Sequence, residues 1–182
     1  TTWTNSIAAT LLKKLLKSLV LMMSKKDIKE YHDTINRLQK MSNERKETKY
    51  IVVHSSESTP KDDFDVNDID TQHRKDGLFS CAFHKIIKRD GTIQDGRDIK
   101  IAGAHIADGS LKLSNKNSIG VCLVGGQSTN GQPDCNYTFK QYTALVNLVK
   151  KLKQDYSGVE IVGHRDVADS VSPHFDVSEL LR

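Results

Sequence analysis

Asn117-Ser118-Ile119-Gly120-Val121-Cys122-Leu123-Val124-Gly125-Gly126 is the stretch on which the fold turns. Ile119 to Val124 carries no charged side chain and is closed by two glycines, the pattern of a strand buried on both faces. Working outward, Tyr50 to Val53 is a short, β-branched strand ending at His54. Val159 to Val162 is a last strand, ending at Gly163-His164. Ala82 to Lys88 reads as a strand that turns at Asp90-Gly91. Asp68 to Lys75 reads as a helix ending at Gly77. Thr138 to Tyr156 reads as an amphipathic helix with Tyr142, Leu145, Leu148, Val149 and Leu152 on its buried face. Strands alternate with helices, so the expected class is α/β, a mixed central β-sheet flanked by helices.

Upstream of this domain the period changes. Leu11, Leu12, Leu15, Leu16, Leu19 and Val20 recur at helical spacing with lysines between them. Ile28, Tyr31, Ile35, Leu38 and Met41 form a second stripe, which Ser24 can cap with Asp27 three residues later. The polar run Ser42 to Thr48 reads as a linker. The expected organisation is an N-terminal α-helical extension over 1–48 and a domain over 49–182.

The 182 residues suffice for one domain with a sizeable core plus an extension. Residues 1–48 hold ten Lys/Arg against five Asp/Glu, which leaves seventeen against eighteen for 49–182. The net +4 is thus a property of the extension. Its lysines show no aromatic interleaving or base-reading motif, so nucleic acid is not the expected partner. The apolar stripes of residues 11–41 need a partner: the domain, each other, a second copy of the chain or a different protein. A membrane surface is an alternative for the first helix, ranked below protein contact. No run is long enough for a membrane span. Lys13, Lys14 and Lys17 interrupt the place of a signal-peptide apolar core, so no signal peptide is expected. A start at Thr1 without Met suggests processing or a missing start. Cys81, Cys122 and Cys135 have no framework spacing, and reduced thiols are expected.

Two histidines, His54 and His164, directly follow apolar strands. The C-terminal edge of a sheet is where α/β proteins place ligand and metal sites, and neutral imidazole is a usual zinc ligand. Two imidazoles need a third ligand. His84 alternates with Phe83 on its strand, His105 follows Gly103-Ala104 and can line a cleft, and His174 lies close in sequence to His164. His32 and His73 fall on helix surfaces, where solvation is the expectation.

Phe83-His84-Lys85-Ile86-Ile87-Lys88-Arg89-Asp90-Gly91-Thr92, then Gly96-Arg97-Asp98, resembles the strand-and-turn signature of N-acetylmuramoyl-L-alanine amidases. Residues 117–126 are similar to the same family. The resemblance covers Lys49 to Asp176. It is strongest to the small zinc amidases of short-tailed coliphages and extends to animal peptidoglycan recognition proteins. It implies one Zn²⁺ held by a His after the first strand, a His after the last strand and a Cys eight residues beyond. His54 and His164 match the first two positions; Ser172 stands at the third. The implied catalytic Tyr is Phe83 here, and the implied catalytic Lys is Ser170. His174, Asp166 or Asp169 could substitute as the third ligand. His105 and Asn117 are candidates for the substrate cleft.

Zinc would polarise the scissile carbonyl and lower the pKa of bound water. A serine hydroxyl is neutral and a far poorer ligand than a thiolate. Zn²⁺ is therefore expected to be weakly held or absent, and the chain to be catalytically impaired. The reading is a peptidoglycan-binding or structural, virion-associated module, docked on a phage structural protein or a second copy of itself through residues 11–41. It would sit in the phage virion or the infected host cytoplasm. The alternative is an active zinc-dependent N-acetylmuramoyl-L-alanine amidase, an endolysin. A second alternative is a regulator of phage RNA polymerase, an activity that the coliphage amidases carry without zinc.

Overall fold

The structure, a computed structural model, describes residues 24–27, 29–30, 33–34, 43–45, 47–107 and 113–180. The helix expected over Leu11 to Val20, the apolar stripe of Ile28, Tyr31, Ile35, Leu38 and Met41, and His32 lie outside the described residues. The chain forms two compact units, 1–42 and 43–182. In the first, residues 25–27, 29–30 and 33–34 are helical. Ser24 begins this helix: its hydroxyl donates to Asp27 Oδ2 at 2.6 Å, and its amide donates to the same oxygen at 3.2 Å. That satisfies donors which a helix start leaves orphaned.

In the second unit, the stretch read as a linker is docked. Glu44 bridges to Ile101, and Ala102 N donates to Asn43 O at 2.6 Å. Arg45 Nε donates to Ile99 O at 2.9 Å, and its guanidinium lies 5.4 Å from the Tyr156 ring centre. Polar composition suggested a linker, but the Asn43 carbonyl and the Arg45 guanidinium find hydrogen-bond partners in the domain.

The elements of the domain are β1 (Tyr50–Ser55), α1 (Val66–Lys75), β2 (Lys85–Ile87), β3 (Ile93–Asp95), β4 (Ser118–Leu123), α2 (Phe139–Asp155), β5 (Glu160–Gly163), a 3₁₀ turn (His164–Asp166) and α3 (Val177–Leu180). The sheet order is β3-β2-β4-β1-β5, parallel except for the β2–β3 hairpin. The mixed sheet is thus as expected. The strand read over Ala82 to Lys88 is shorter, Lys85–Ile87, although His84 N still donates to Gly120 O at 2.9 Å. The α1 helix begins earlier than the apolar pattern shows, because Asp65 and Asp68 form a reciprocal cap.

Alternation along β1 and β4 sorts the core. Ile51, Val53, Ile119, Val121 and Leu123 pack with Leu145, Leu148, Val149 and Leu152 of α2. The opposite parity puts Val52 against Ile106 and Leu113, and Cys122 against Ile69, Phe83 and Ile86. His54 shares that second parity, so the sheet presents it away from α2.

Buried Gln141 joins helix to sheet. Its Nε2 donates to Ile87 O at 3.1 Å and to Val124 O at 2.8 Å, while its Oε1 accepts from Thr138 N at 3.0 Å. Each bond adds a second donor to a carbonyl that already has one, Val124 N on Ile87 O and Arg89 Nη1 on Val124 O. Cys81 and Cys122 are buried free thiols and Cys135 is an exposed one. Among the described residues, no helix is long and apolar enough to cross a membrane.

Candidate active-site cleft

Parallel pairing sets the site. Val53 pairs with Gly163 and His54 with Cys122, so His54 and His164 emerge side by side at the ends of β1 and β5. Their ring centres are 4.5 Å apart, with planes inclined at 37°. His54 is buried, and its pKa is pushed well down by that burial and then by neighbouring His105 and His164. His164 is also lowered by burial, which Glu57 partly offsets. Both imidazoles are therefore neutral at pH 7, the form that can offer a lone pair.

His105 lies behind His54 rather than on the cleft wall where it was expected. It is buried, and its Nδ1 sits 3.0 Å from His54 Nε2. Its Nε2 reaches Ser118 Oγ at 3.4 Å, and that hydroxyl donates to Ser114 O at 2.6 Å. The Ser118 proton being spent on Ser114, His105 Nε2–H donates to Ser118 and His105 Nδ1 accepts from His54 Nε2–H. The chain leaves His54 Nδ1 unprotonated. Room for the His105 ring exists because residue 120 is glycine: a Cβ there would come within 2.7 Å of it.

His84 is a core residue. Its Nδ1 accepts from Gly120 N and its Nε2 donates to Ile101 O, each at 2.9 Å. Burial lowers its pKa to about 4. Asn117, the other expected cleft residue, starts β4 at the opposite end of the strand from His54. Its Oδ1 accepts from Ser114 N at 2.8 Å, so it shapes a turn.

Phe83 closes the inner wall. Its ring centre lies 5.1 Å from that of His54 and 5.4 Å from that of His73. The phenyl keeps the packing and offers no proton. A cleft of about 570 Å³ opens beside it, lined by Ser55, Glu57, Phe64, Gln72, His73 and Phe83 among others. His73, expected to be solvated, is half-buried there. Its Nδ1 accepts from Ala82 N at 3.0 Å, which places its proton on Nε2.

Ser172 is buried against β1. Its Oγ accepts from Ser55 N at 2.8 Å and shares a hydrogen bond with Ser55 Oγ at 2.8 Å. Ser55 Oγ also bonds the Glu57 carboxylate, which in turn accepts from His174 Nε2 at 2.9 Å. His174, a candidate third ligand, is thus committed to Glu57. Asp166, another candidate, accepts from Gly163 N at 2.7 Å and caps the 3₁₀ turn; Asp169 is exposed. Ser170 accepts from Ser172 N at 3.2 Å and lines a separate hollow with Arg165 and His174. Among the described residues, no three His, Cys, Asp or Glu side chains gather as a metal set. Glu57 was not singled out from sequence. It follows β1 by two residues, but its partner is 117 positions away.

Residues 44–176 match the family described as N-acetylmuramoyl-L-alanine amidase. The endolysin of Klebsiella phage KP32 is 40% identical over 133 residues, covering 73% of this chain and 85% of that protein. The N-acetylmuramoyl-L-alanine amidase LysC from Clostridium intestinale superposes with a TM-score of 0.60 at 27% identity, over 73% of this chain and 82% of its own. A tyrosine-to-phenylalanine mutant of Drosophila PGRP-LB, solved in complex with tracheal cytotoxin, superposes with a TM-score of 0.53 at 26% identity, over 70% of this chain and 75% of its own. With most of the domain matched and the sheet, hairpin and histidine pair in place, this chain belongs to the N-acetylmuramoyl-L-alanine amidase family.

Proposed function

We propose that this chain is a peptidoglycan-binding protein of amidase fold whose hydrolytic power is largely lost. The observation that carries the reading is the cleft's donor set. Two neutral imidazoles, His54 and His164, meet at the strand ends, and Ser172, at the position where the family resemblance implies a third ligand, is a neutral hydroxyl already engaged by Ser55. The family is typically zinc-dependent, but this set does not fit a tightly held Zn²⁺, which wants a charged or strongly basic third ligand. Phe83 has no proton to give to a leaving group, and Ser170 has no cation to set against a developing oxyanion. Removing one oxyanion donor alone typically lowers a rate by about 10²–10³. What the cleft retains is shape, apolar wall and hydrogen-bonding groups: the Phe83 ring, the His73 Nε2–H and the Glu57 carboxylate.

A recognition role is supported by the relative solved as a tyrosine-to-phenylalanine mutant with tracheal cytotoxin in place. The apolar stripes of residues 11–41 would dock the module on a phage structural protein or on a second copy of the chain. Purified peptidoglycan should pull the protein down in a pelleting assay. Chloroform-treated Gram-negative cells should keep their turbidity in its presence. Rapid clearing of those cells would reverse the reading.

The second reading is an active endolysin, the name carried by the phage relative. It draws on the retained His54–His164 pair. It requires one zinc per chain and hydrolysis that a chelator abolishes.

A further inference from the structure

We propose that Ser172, Ser55, Glu57 and His174 form a metal-independent clasp, which fastens the C-terminal loop to the end of β1 in place of a third metal ligand.

Two separate bonds cross between the same two segments. Ser172 meets Ser55, and His174 meets Glu57, each pair 117 residues apart in sequence. Ser55 bonds both Ser172 and Glu57, so the four side chains form one connected network. The clasp is closed on its remaining side. A Cβ on Gly126 would lie 2.8 Å from Ser55 Cβ and 3.1 Å from His174, and Gly126 has φ +104°. Pro173, between the two clasp residues of the loop, has its carbonyl bonded by the Tyr137 hydroxyl at 2.9 Å. The His174 side chain is only 5% exposed.

Backbone conformation gives an independent sign. Among the described residues, the non-glycine positions with positive φ are Glu57 at 50° and His174 at 72°. These two are hydrogen-bonded to each other. Such conformations persist only where surrounding contacts hold them, and they cluster where geometry matters more than local ease. A pair of strained residues that meet through their side chains is what a clasp requires.

The chemistry excludes the same atoms from a second task. Ser172 Oγ would have to give up a bond to Ser55 before it could reach a cation. His174 Nε2 would have to leave Glu57 and give up the hydrogen bond that its buried ring makes there. The loop is thus held by protein groups alone.

The second half of the test rests on the peptidoglycan-binding reading; the first half does not. The full chain is dialysed against metal-free buffer, then assayed for zinc by elemental analysis and for Tm in EDTA and in excess ZnCl₂. The clasp predicts substoichiometric zinc and one Tm in both buffers. Ser172→Cys should gain one zinc per chain and a zinc-dependent rise in Tm. Glu57→Ala and His174→Ala should each lower Tm, and the double variant should fall no further than the worse single one. Glu57→Gln with His174→Asn repeats the cycle without emptying the space, should the alanine variants fail to fold. One zinc per wild-type chain, or strictly additive Tm losses, would overturn the clasp. Muramyl peptide binding is then measured in EDTA. Binding lost on chelation also overturns it. No binding in either buffer, with the zinc and Tm results as predicted, removes the peptidoglycan reading and leaves the clasp standing.

Discussion

At Phe83, Ser170 and Ser172, the proposed loss of hydrolysis comes down to three side-chain groups. A phenol oxygen, an ammonium and a thiolate are the groups the family resemblance leads one to expect there. Restoring them one at a time should do little for the hydrolytic rate, because groups that act as a unit are not additive. The combined variant Phe83→Tyr, Ser170→Lys, Ser172→Cys should bind zinc and clear cell walls at a rate roughly 10² or more above the wild type. Turbidity decay with zinc supplied measures it, and a dead triple variant with one zinc bound would place the loss elsewhere in the cleft. His84 makes a second prediction at this scale. Its folded pKa of about 4 lies below the usual 6.5, so the unfolded chain binds the extra proton first as pH falls. Its contribution is complete above pH 6.5 and is lost progressively down to about pH 4, a total on the order of 3 kcal/mol. Burial moves His54 and His105 in the same direction. Thermal unfolding at pH 7.5, 5.5 and 4.5 should show a steadily falling Tm; a flat profile would contradict the buried neutral tautomers.

Among elements, β4 and α2 hold the site in place. β4 is buried along its whole length, and Gly120 within it gives the His105 ring its space. Gly120→Ala should push His105 off His54 and lower stability by about 1–3 kcal/mol. Loss of peptidoglycan binding with it would tie the His54–His105 bond to the cleft's shape; urea titration and pelleting measure the two effects. On α2, Gln141→Leu removes one donor from each of the Ile87 and Val124 carbonyls. The cost should be about 1–2 kcal/mol, greater than a surface glutamine would show, because two buried hydrogen bonds are lost while Ile87 O keeps Val124 N as its donor. The α2 helix itself was legible from its apolar spacing, but Gln141 was not: nothing in a polar residue's letter says that it points inward. The α1 helix was legible except at its start, where Asp65 caps the helix through a local bond that hydrophobic period ignores.

For the whole molecule, the division into units 1–42 and 43–182 bears on stability and on partner choice. Residues 43–45 bond into the domain, so a truncation should keep them. The fragment 43–182 should fold with nearly the Tm of the full chain and bind peptidoglycan equally well. Any association with a phage structural protein or a second copy should be lost with residues 1–42. Size-exclusion chromatography and thermal melts of both forms check this, and an unfolded fragment would show that the extension is part of the core.

Apolar period and strand ends are local properties, so the α/β class, four of the five strands, two helices and the position of His54 and His164 at strand ends were legible in the sequence. The ordered motifs around Phe83 and residues 117–126 carried the family, and with it the expectation of a missing thiolate at Ser172. What only the tertiary structure decided is how the surrounding groups are spent. His105 moved from cleft wall to a bond behind His54, Asn117 to a turn, and His174 from spare ligand to the partner of Glu57. Those assignments depend on contacts between positions tens to more than a hundred residues apart. Side-chain type does not encode such contacts until parallel pairing of β1, β4 and β5 brings their ends together.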